Sequence, residues 1–213
     1  KHDLAYGDSY GSGSYRVSLG YENQEGIVQN SELERINARV NWNQAFLEDK
    51  LNLNVQTTVS RVNDVFAPIT NNAGFLGDLL GATLIAPPTY NPDFISSGAY
   101  INPNELLTFN QDQAQTDRAL LNFSADYDIT SGLNFRVNAG FDLANSVRNS
   151  AASRDLVIGE AGVTGNGRAF STEIDNVSNL FEALLNYNIK VGEGNLDVLG
   201  GYSYQSFRNT GNN

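Results

Sequence analysis

The chain has 213 residues, with 13 Lys and Arg against 24 Asp and Glu, a formal net charge of −11, and neither Cys nor Met. This balance excludes a nucleic-acid binder, whose phosphate contacts need clustered Lys and Arg. The missing Cys excludes a disulfide framework or a thiolate metal site, and the missing Met sets the expectation of a processed chain or a segment of a longer one.

No run of 18 apolar residues occurs, so no transmembrane helix is expected. Strands that cross an outer membrane need only about 9–11 residues each, apolar at alternate positions, and that period recurs here. Residues 1–6 read as the tail of a strand, with a turn-rich stretch, GDSYGSG, over 7–13. Residues 14–23 place Tyr15, Val17, Leu19 and Tyr21 on one face and Arg16, Ser18 and Gly20 on the other. After a connection at 24–32, the strand at 33–46 sets Ile36, Ala38, Val40, Trp42 and Phe46 against Asn37, Arg39, Asn41 and Asn43. The turn LED (47–49) leads to 50–62, with Leu51, Leu53, Val55, Thr57 and Val59 opposite Asn52, Asn54, Gln56, Thr58 and Ser60.

A long excursion then occupies 63–114. Within it, 73–86 reads as a short helix stopped by PPTYNP, and Asn102 with Pro103 reads as the cap and first position of another. Strands resume at 115–129 (Ala119, Leu121, Phe123, Ala125, Tyr127) and 132–146 (Leu133, Phe135, Val137, Ala139, Phe141, Leu143), joined by the turn TSG. A connection at 147–172 precedes 172–190 (Val177, Phe181, Ala183, Leu185, Tyr187, Ile189). The turn VGEG leads to the last strand, 194–208, with Leu196, Val198, Tyr202 and Tyr204; residues 205–213 read as running into a loop. A helix would smear these apolar sets around its circumference, whereas a strand keeps each on one side.

The connections alternate short and long along the chain. A sheet running up and down through a membrane sorts its loops this way, short turns at one rim and long loops at the other. Alternation alone fits equally a soluble antiparallel sandwich whose apolar side is core. Loop parity and the Asn-rich, Lys-poor polar side favour the barrel, with aromatic residues gathering toward the strand ends. The expected fold is therefore all-β: an antiparallel up-and-down transmembrane β-barrel segment with long extracellular loops. The side chains expected to face lipid are Val40, Trp42, Leu53, Val55, Leu121, Phe123, Val137, Phe141, Leu185, Tyr187 and Val198.

Catalytic constellations are not visible. His2 is the single His, so no Ser–His–Asp set can form. The neighbouring carboxylates Glu48–Asp49 and Asp126–Asp128 sit at turns, and the Gly-rich pieces match neither a dinucleotide nor a P-loop pattern. Asp93, Asp112, Asp117 and Asp155 lie in or beside loops without EF-hand spacing. No enzyme activity, cofactor or metal is expected. In the long excursion, Tyr90, Phe94, Tyr100 and Phe109 are candidate contacts to a solute or a lid protein; the alternative is that they anchor the loop's own fold.

The phrases YRVSLGYENQEGIV (15–28) and LERINARVNWN (33–43), followed in order by PPTYNPD (87–93), NPNELL (102–107) and LGGYSYQ (199–205), resemble the SusC/RagA-type TonB-dependent transporters of the Gram-negative outer membrane. The resemblance implies a barrel of about 22 strands around a plug, importing oligosaccharides or peptides under a SusD-like surface lipoprotein and powered by TonB acting through the plug. No plug domain is visible in this chain, so its share would be wall, lumen surface and loops, set in a lipid bilayer beside the remaining barrel and plug segments. A passive porin-like channel and a secreted carbohydrate-binding sandwich are the alternatives.

Overall fold

The computed structural model describes residues 1–70, 77–89, 91, 93–97, 100–156 and 166–212. Eight strands form one antiparallel sheet in chain order: β1 (His2–Tyr10), β2 (Gly13–Glu25), β3 (Glu32–Phe46), β4 (Leu51–Val65), β5 (Asn110–Thr130), β6 (Leu133–Ala152), β7 (Arg168–Val191) and β8 (Gly194–Asn212). Every strand pairs with its chain neighbour, and the only helices among the described residues, α1 (Leu79–Ile85) and α2 (Pro103–Phe109), interrupt the β4–β5 connection. The connections at 11–12, 47–50, 131–132 and 192–193 lie at one rim; those at 26–31, 66–109 and 153–167 lie at the other.

Most strands run further toward the long-loop rim than the apolar alternation indicated. β5 begins at Asn110, β6 continues to Ala152, and β8 keeps pairing with β7 out to Asn212 where a loop was expected. At that rim both faces become polar, so no period remains to be read. The ladder continues because every backbone N–H and C=O still needs a partner. At the opposite, short-turn rim β1 extends to Tyr10, leaving Gly11 and Ser12 as the whole turn.

Register carries the architecture. A line followed across the paired residues from Tyr10 passes Gly13, Gln44, Leu53, Ala125 and Val137 and reaches β7 at Ala183. β7 ends at Val191, eight residues further on and six strands across. With a rise of about 3.3 Å per residue and about 4.8 Å between strands, this stagger corresponds to a strand tilt of about 40°, within the range of barrel walls. The apolar stretch on one face of β3, Ile36 to Phe46, spans about 33 Å along the strand. Tilted by that angle it covers about 25 Å in height, the thickness of a membrane-spanning apolar band.

Among the described residues nothing packs on that band, and the buried apolar ones are Leu79, Ala82, Ile101, Leu106, Ala152 and Leu156, all in the long connections or at a strand's upper end. Val40 (40%), Leu121 (37%), Phe141 (44%) and Val198 (50%) stay exposed in mid-strand. A sandwich would bury those side chains against a second sheet; all eight strands belong to one sheet, and the sandwich alternative fails.

Candidate functional site

The sheet has two unlike faces and a folded cap, each built from local sequence. On the apolar face the pairing aligns Val17, Val40, Thr57, Leu121 and Phe141 in one row and Tyr15, Trp42, Val55, Phe123, Ala139 and Phe181 in the next. Leu53 and Val137 follow in the row below, and Leu185, Tyr187 and Val198 continue the band toward the last turn. All eleven residues expected on the apolar side therefore share one face. Toward the short turns Trp42 Nε1 donates to Tyr10 Oη at 2.7 Å, and the Tyr15 ring lies 6.0 Å from Tyr6 and 6.1 Å from Tyr10. Rings with a polar tip gather where an apolar layer meets water.

The upper edge of this face changes abruptly to polar. Arg61 clasps Asp117 with two hydrogen bonds, 2.6 and 2.9 Å. Glu34 accepts from Tyr21 Oη and Asn63 Nδ2, and Asn145 donates to Glu173 and Asp175. Below Arg61 the small Ala38 and Ala119, between Ile36, Val59 and Leu143, leave a groove of about 660 Å³.

The opposite face is Asn, Ser and Thr threaded with ion pairs. Arg118 grips Asp142 at 2.8 and 2.6 Å, Arg148 grips Asp112 at 2.8 and 2.6 Å, and Arg136 binds Asp126. Consecutive residues thus serve opposite faces: Asp117 meets Arg61 on one, Arg118 meets Asp142 on the other. Amides link neighbouring strands through Asn43–Asn54, Asn138–Glu182 and Asn134–Asp128. Gly201 is required on this face, since a Cβ there would collide with the Leu184 side chain and the Ala183 carbonyl.

The described parts of the three long connections fold into one canopy. Asp78 caps α1, accepting from Gly81 N at 2.6 Å, and ties down Thr70 through its backbone N (2.6 Å) and Oγ1 (3.0 Å). Burial is the largest single influence on Asp78 and pushes its pKa up; the hydrogen bonds from Gly81, Thr70 and Leu80 together outweigh it and hold the carboxyl below its ordinary value. Asn102 caps α2, with Pro103 at the helix start, and its Nδ2 donates to the Phe94 carbonyl at 2.7 Å. Leu79, Ala82, Ile101 and Leu106 pack with Leu156 of the 153–167 connection, and Val28 of the 26–31 connection joins their edge. Asn30 Nδ2 donates to the Leu107 carbonyl, and Ser153 N to that of Phe109. Between canopy and wall lies a cavity of about 260 Å³ lined by Phe66, Thr70, Asp112, Arg148, Ser150 and Arg168. The Arg148 guanidinium lies over the Phe66 ring at 4.7 Å.

The candidate loop aromatics separate. Phe109 packs onto the canopy core, Phe94 is half-buried, and Tyr100 is exposed. Tyr90 lies outside the described residues. The four loop carboxylates do not converge: Asp112 and Asp117 are held by arginines and Asp155 by Ser153, while the Asp93 backbone N–H bonds Asn91. The sequence reading missed Asp78, Asn30 and Leu156. Asp78 immediately before LLGATL was a readable cap signal; Asn30 and Leu156 act across long sequence separations and left none.

A single staggered sheet with one bare apolar band, one polar face and a folded canopy defines a segment of an outer-membrane β-barrel. The comparisons place it more closely. The chain is 33% identical over 98% of its length to TonB-dependent receptor P3, and 30% identical over 90% to TonB-dependent receptor P26, both of Formosa agariphila. It is 28% identical over 59% of its length to TonB-dependent receptor SusC of Bacteroides thetaiotaomicron. It spans 21%, 19% and 13% of those relatives. No protein-family model matches. Among solved structures, the RagAB peptide transporter covers 98% of the chain with a TM-score of 0.78 at 18% identity, the chain spanning 25% of it. The siderophore receptor PiuA of Acinetobacter baumannii gives 0.57 at 15% identity over 97% of the chain. The chain belongs, as a barrel segment, to the TonB-dependent receptors of the outer membrane, and among them it is similar to SusC.

Proposed function

We propose that the chain supplies wall, lumen lining and extracellular canopy to an importer of oligosaccharides or peptides. The observation that carries this reading is the pairing of a bare apolar band about 25 Å tall with a polar opposite face, in a chain similar along its length to TonB-dependent receptors. Lipid tails contact the Val40, Leu121 and Val137 side and fill the groove over Ala38 and Ala119. The Asn-rich side faces the water and protein inside the barrel. Neutral amides suit it to solutes rich in hydroxyl and peptide groups, whose hydrogen bonds they can exchange for those of water.

The canopy stands at the mouth. Tyr100 and Phe94 are its candidate contacts to solute, and Leu80, Leu84, Ile85 and Ile95 leave an uncovered apolar side toward the exterior. A SusD-like surface lipoprotein closing over the mouth would cover that side, and TonB would act through a plug on the remainder of the transporter. Support for the peptide class comes from RagAB, named a peptide importer; the oligosaccharide class rests on the hydrogen-bonding chemistry of the Asn-rich face.

The test is uptake by cells expressing the intact transporter, with labelled oligosaccharide and peptide pools offered separately. An importer concentrates one pool and stops when a protonophore collapses the inner-membrane gradient. Uptake that persists and merely equilibrates identifies the passive porin-like channel instead.

A further inference from the structure

On the polar face most arginines already have a carboxylate. Arg118 has Asp142, Arg136 has Asp126, Arg148 has Asp112, and Arg35 lies 3.9 Å from Glu22. Arg16, Arg39 and, at the long-loop rim, Arg168 depart from this pattern; the Arg168 guanidinium lies over the Phe170 ring at 5.2 Å, which leaves Arg16 and Arg39 as the mid-wall pair. Arg39 donates to Thr58 Oγ1 at 3.2 Å, and neither guanidinium lies within 4.0 Å of a carboxylate among the described residues.

The register brings the two together. Arg16 pairs with Asn41 and Arg39 with Ser18, so they are diagonal neighbours on β2 and β3, a separation of about 7–8 Å at the backbone. Two extended arginine side chains at that spacing can converge on one group. The positions facing them on β1 to β4 are small or neutral: Ala5, Gly7, Ser18, Asn41, Gln56 and Thr58. Gly7 stands directly opposite Arg16, where a Cβ would come within 3.3 Å of the Arg16 Cβ. The bare glycine keeps the space beside that side chain open. The carboxylates next along this face, Asp3 and Glu22, are engaged by Lys1 at 4.0 Å and Arg35 at 3.9 Å.

We propose that Arg16 and Arg39 form a two-guanidinium seat for one anionic group, a carboxylate or a sulfate, on the inner wall of the barrel. It rests on the reading of the polar face as the lumen. The planar fork of guanidinium matches two oxygens of such a group, and two forks give a geometry that ammonium groups cannot reproduce. The anion has two possible sources with the same chemistry: a passing solute, or an acidic side chain of another part of the transporter lying inside the barrel.

The experiment uses the intact transporter in detergent, wild type beside the double variants Arg16→Gln/Arg39→Gln and Arg16→Lys/Arg39→Lys. Thermal unfolding is measured in sodium sulfate and sodium chloride at matched ionic strength, and backbone hydrogen exchange is mapped over the whole protein. An open seat predicts that sulfate raises the wild-type Tm by several degrees beyond its effect on either variant. A seat filled by the transporter's own carboxylate predicts no such difference. The Gln variant then exchanges about tenfold faster in a segment outside the present chain, and the Lys variant falls between. Identical sulfate responses together with identical exchange maps overturn the proposal. Failure of the importer reading looks different: wild-type uptake would lack energy dependence whatever sulfate does.

Discussion

Placing a charge at mid-height on the apolar face is the sharpest test of which side meets lipid. Along β3 the apolar stretch runs from Ile36 to Phe46, so Val40 lies one residue from its midpoint. With the rise and tilt worked out above, that is about 2–3 Å from the membrane midplane. Leu121 lies three residues from the midpoint of Ala119–Ile129 on β5, about 8 Å from the midplane. An arginine facing hydrocarbon costs about 2–4 kcal/mol at the midplane and falls toward zero at the interfaces. Val40→Arg should therefore destabilise the intact transporter by about 2–4 kcal/mol, Leu121→Arg by about 1–2 kcal/mol, and Asn41→Arg, on the opposite face, by less than about 0.5 kcal/mol. Urea titration of the transporter folded into phospholipid vesicles, followed by tryptophan fluorescence and heat-modifiable gel mobility, reads all three. Equal losses at Val40 and Asn41, or a greater loss at Asn41, would refute the assignment of the faces.

Leu106, 1% exposed at the centre of the canopy, should cost about 2–4 kcal/mol of local stability when changed to Ala; faster hydrogen exchange confined to 66–109 and 153–156 would show it, with the barrel strands unaffected. The Asp78 carboxyl titrates lower in the folded canopy than its ordinary value of 3.8, so its contribution is present above that value. It is lost as pH falls through the depressed one. Canopy exchange should accelerate in that acid window, and Asp78→Asn should abolish the acid dependence while loosening the canopy at neutral pH. The turn after β3 holds Leu47, Glu48 and Asp49 in succession at φ of 56°, 56° and 67°, where a side chain costs about 1–2 kcal/mol. Glu48→Gly should stabilise the intact barrel by up to about 1 kcal/mol, read as a higher urea midpoint.

How far the residues alone can be read is visible strand by strand. Val40, Leu121 and Val137 declare their face because the backbone pleat forces alternate side chains to opposite sides, whatever lies beyond. The same rule fails at Asp112, Asn149 and Phe207, where both faces are polar or mixed and only the continuing ladder keeps the chain extended. Asn102 and Pro103 announced α2 because capping is a contact within a few residues. The partnership of Leu106 with Leu156, or of Asn30 with the Leu107 carbonyl, joins positions far apart in the chain and leaves no local trace.

The eight strands, their two faces and the sorting of loops by length followed from the amino-acid order, since period and turn chemistry are local properties. The eight-residue stagger between the first and last turns, the matching of Arg118 with Asp142 but of Asp117 with Arg61, and the diagonal placing of Arg16 beside Arg39 came only with the paired sheet. Tight turns fix the register of their own hairpins, but across the long connections it is set by the sum of many weak cross-strand contacts whose two sides lie far apart in the sequence.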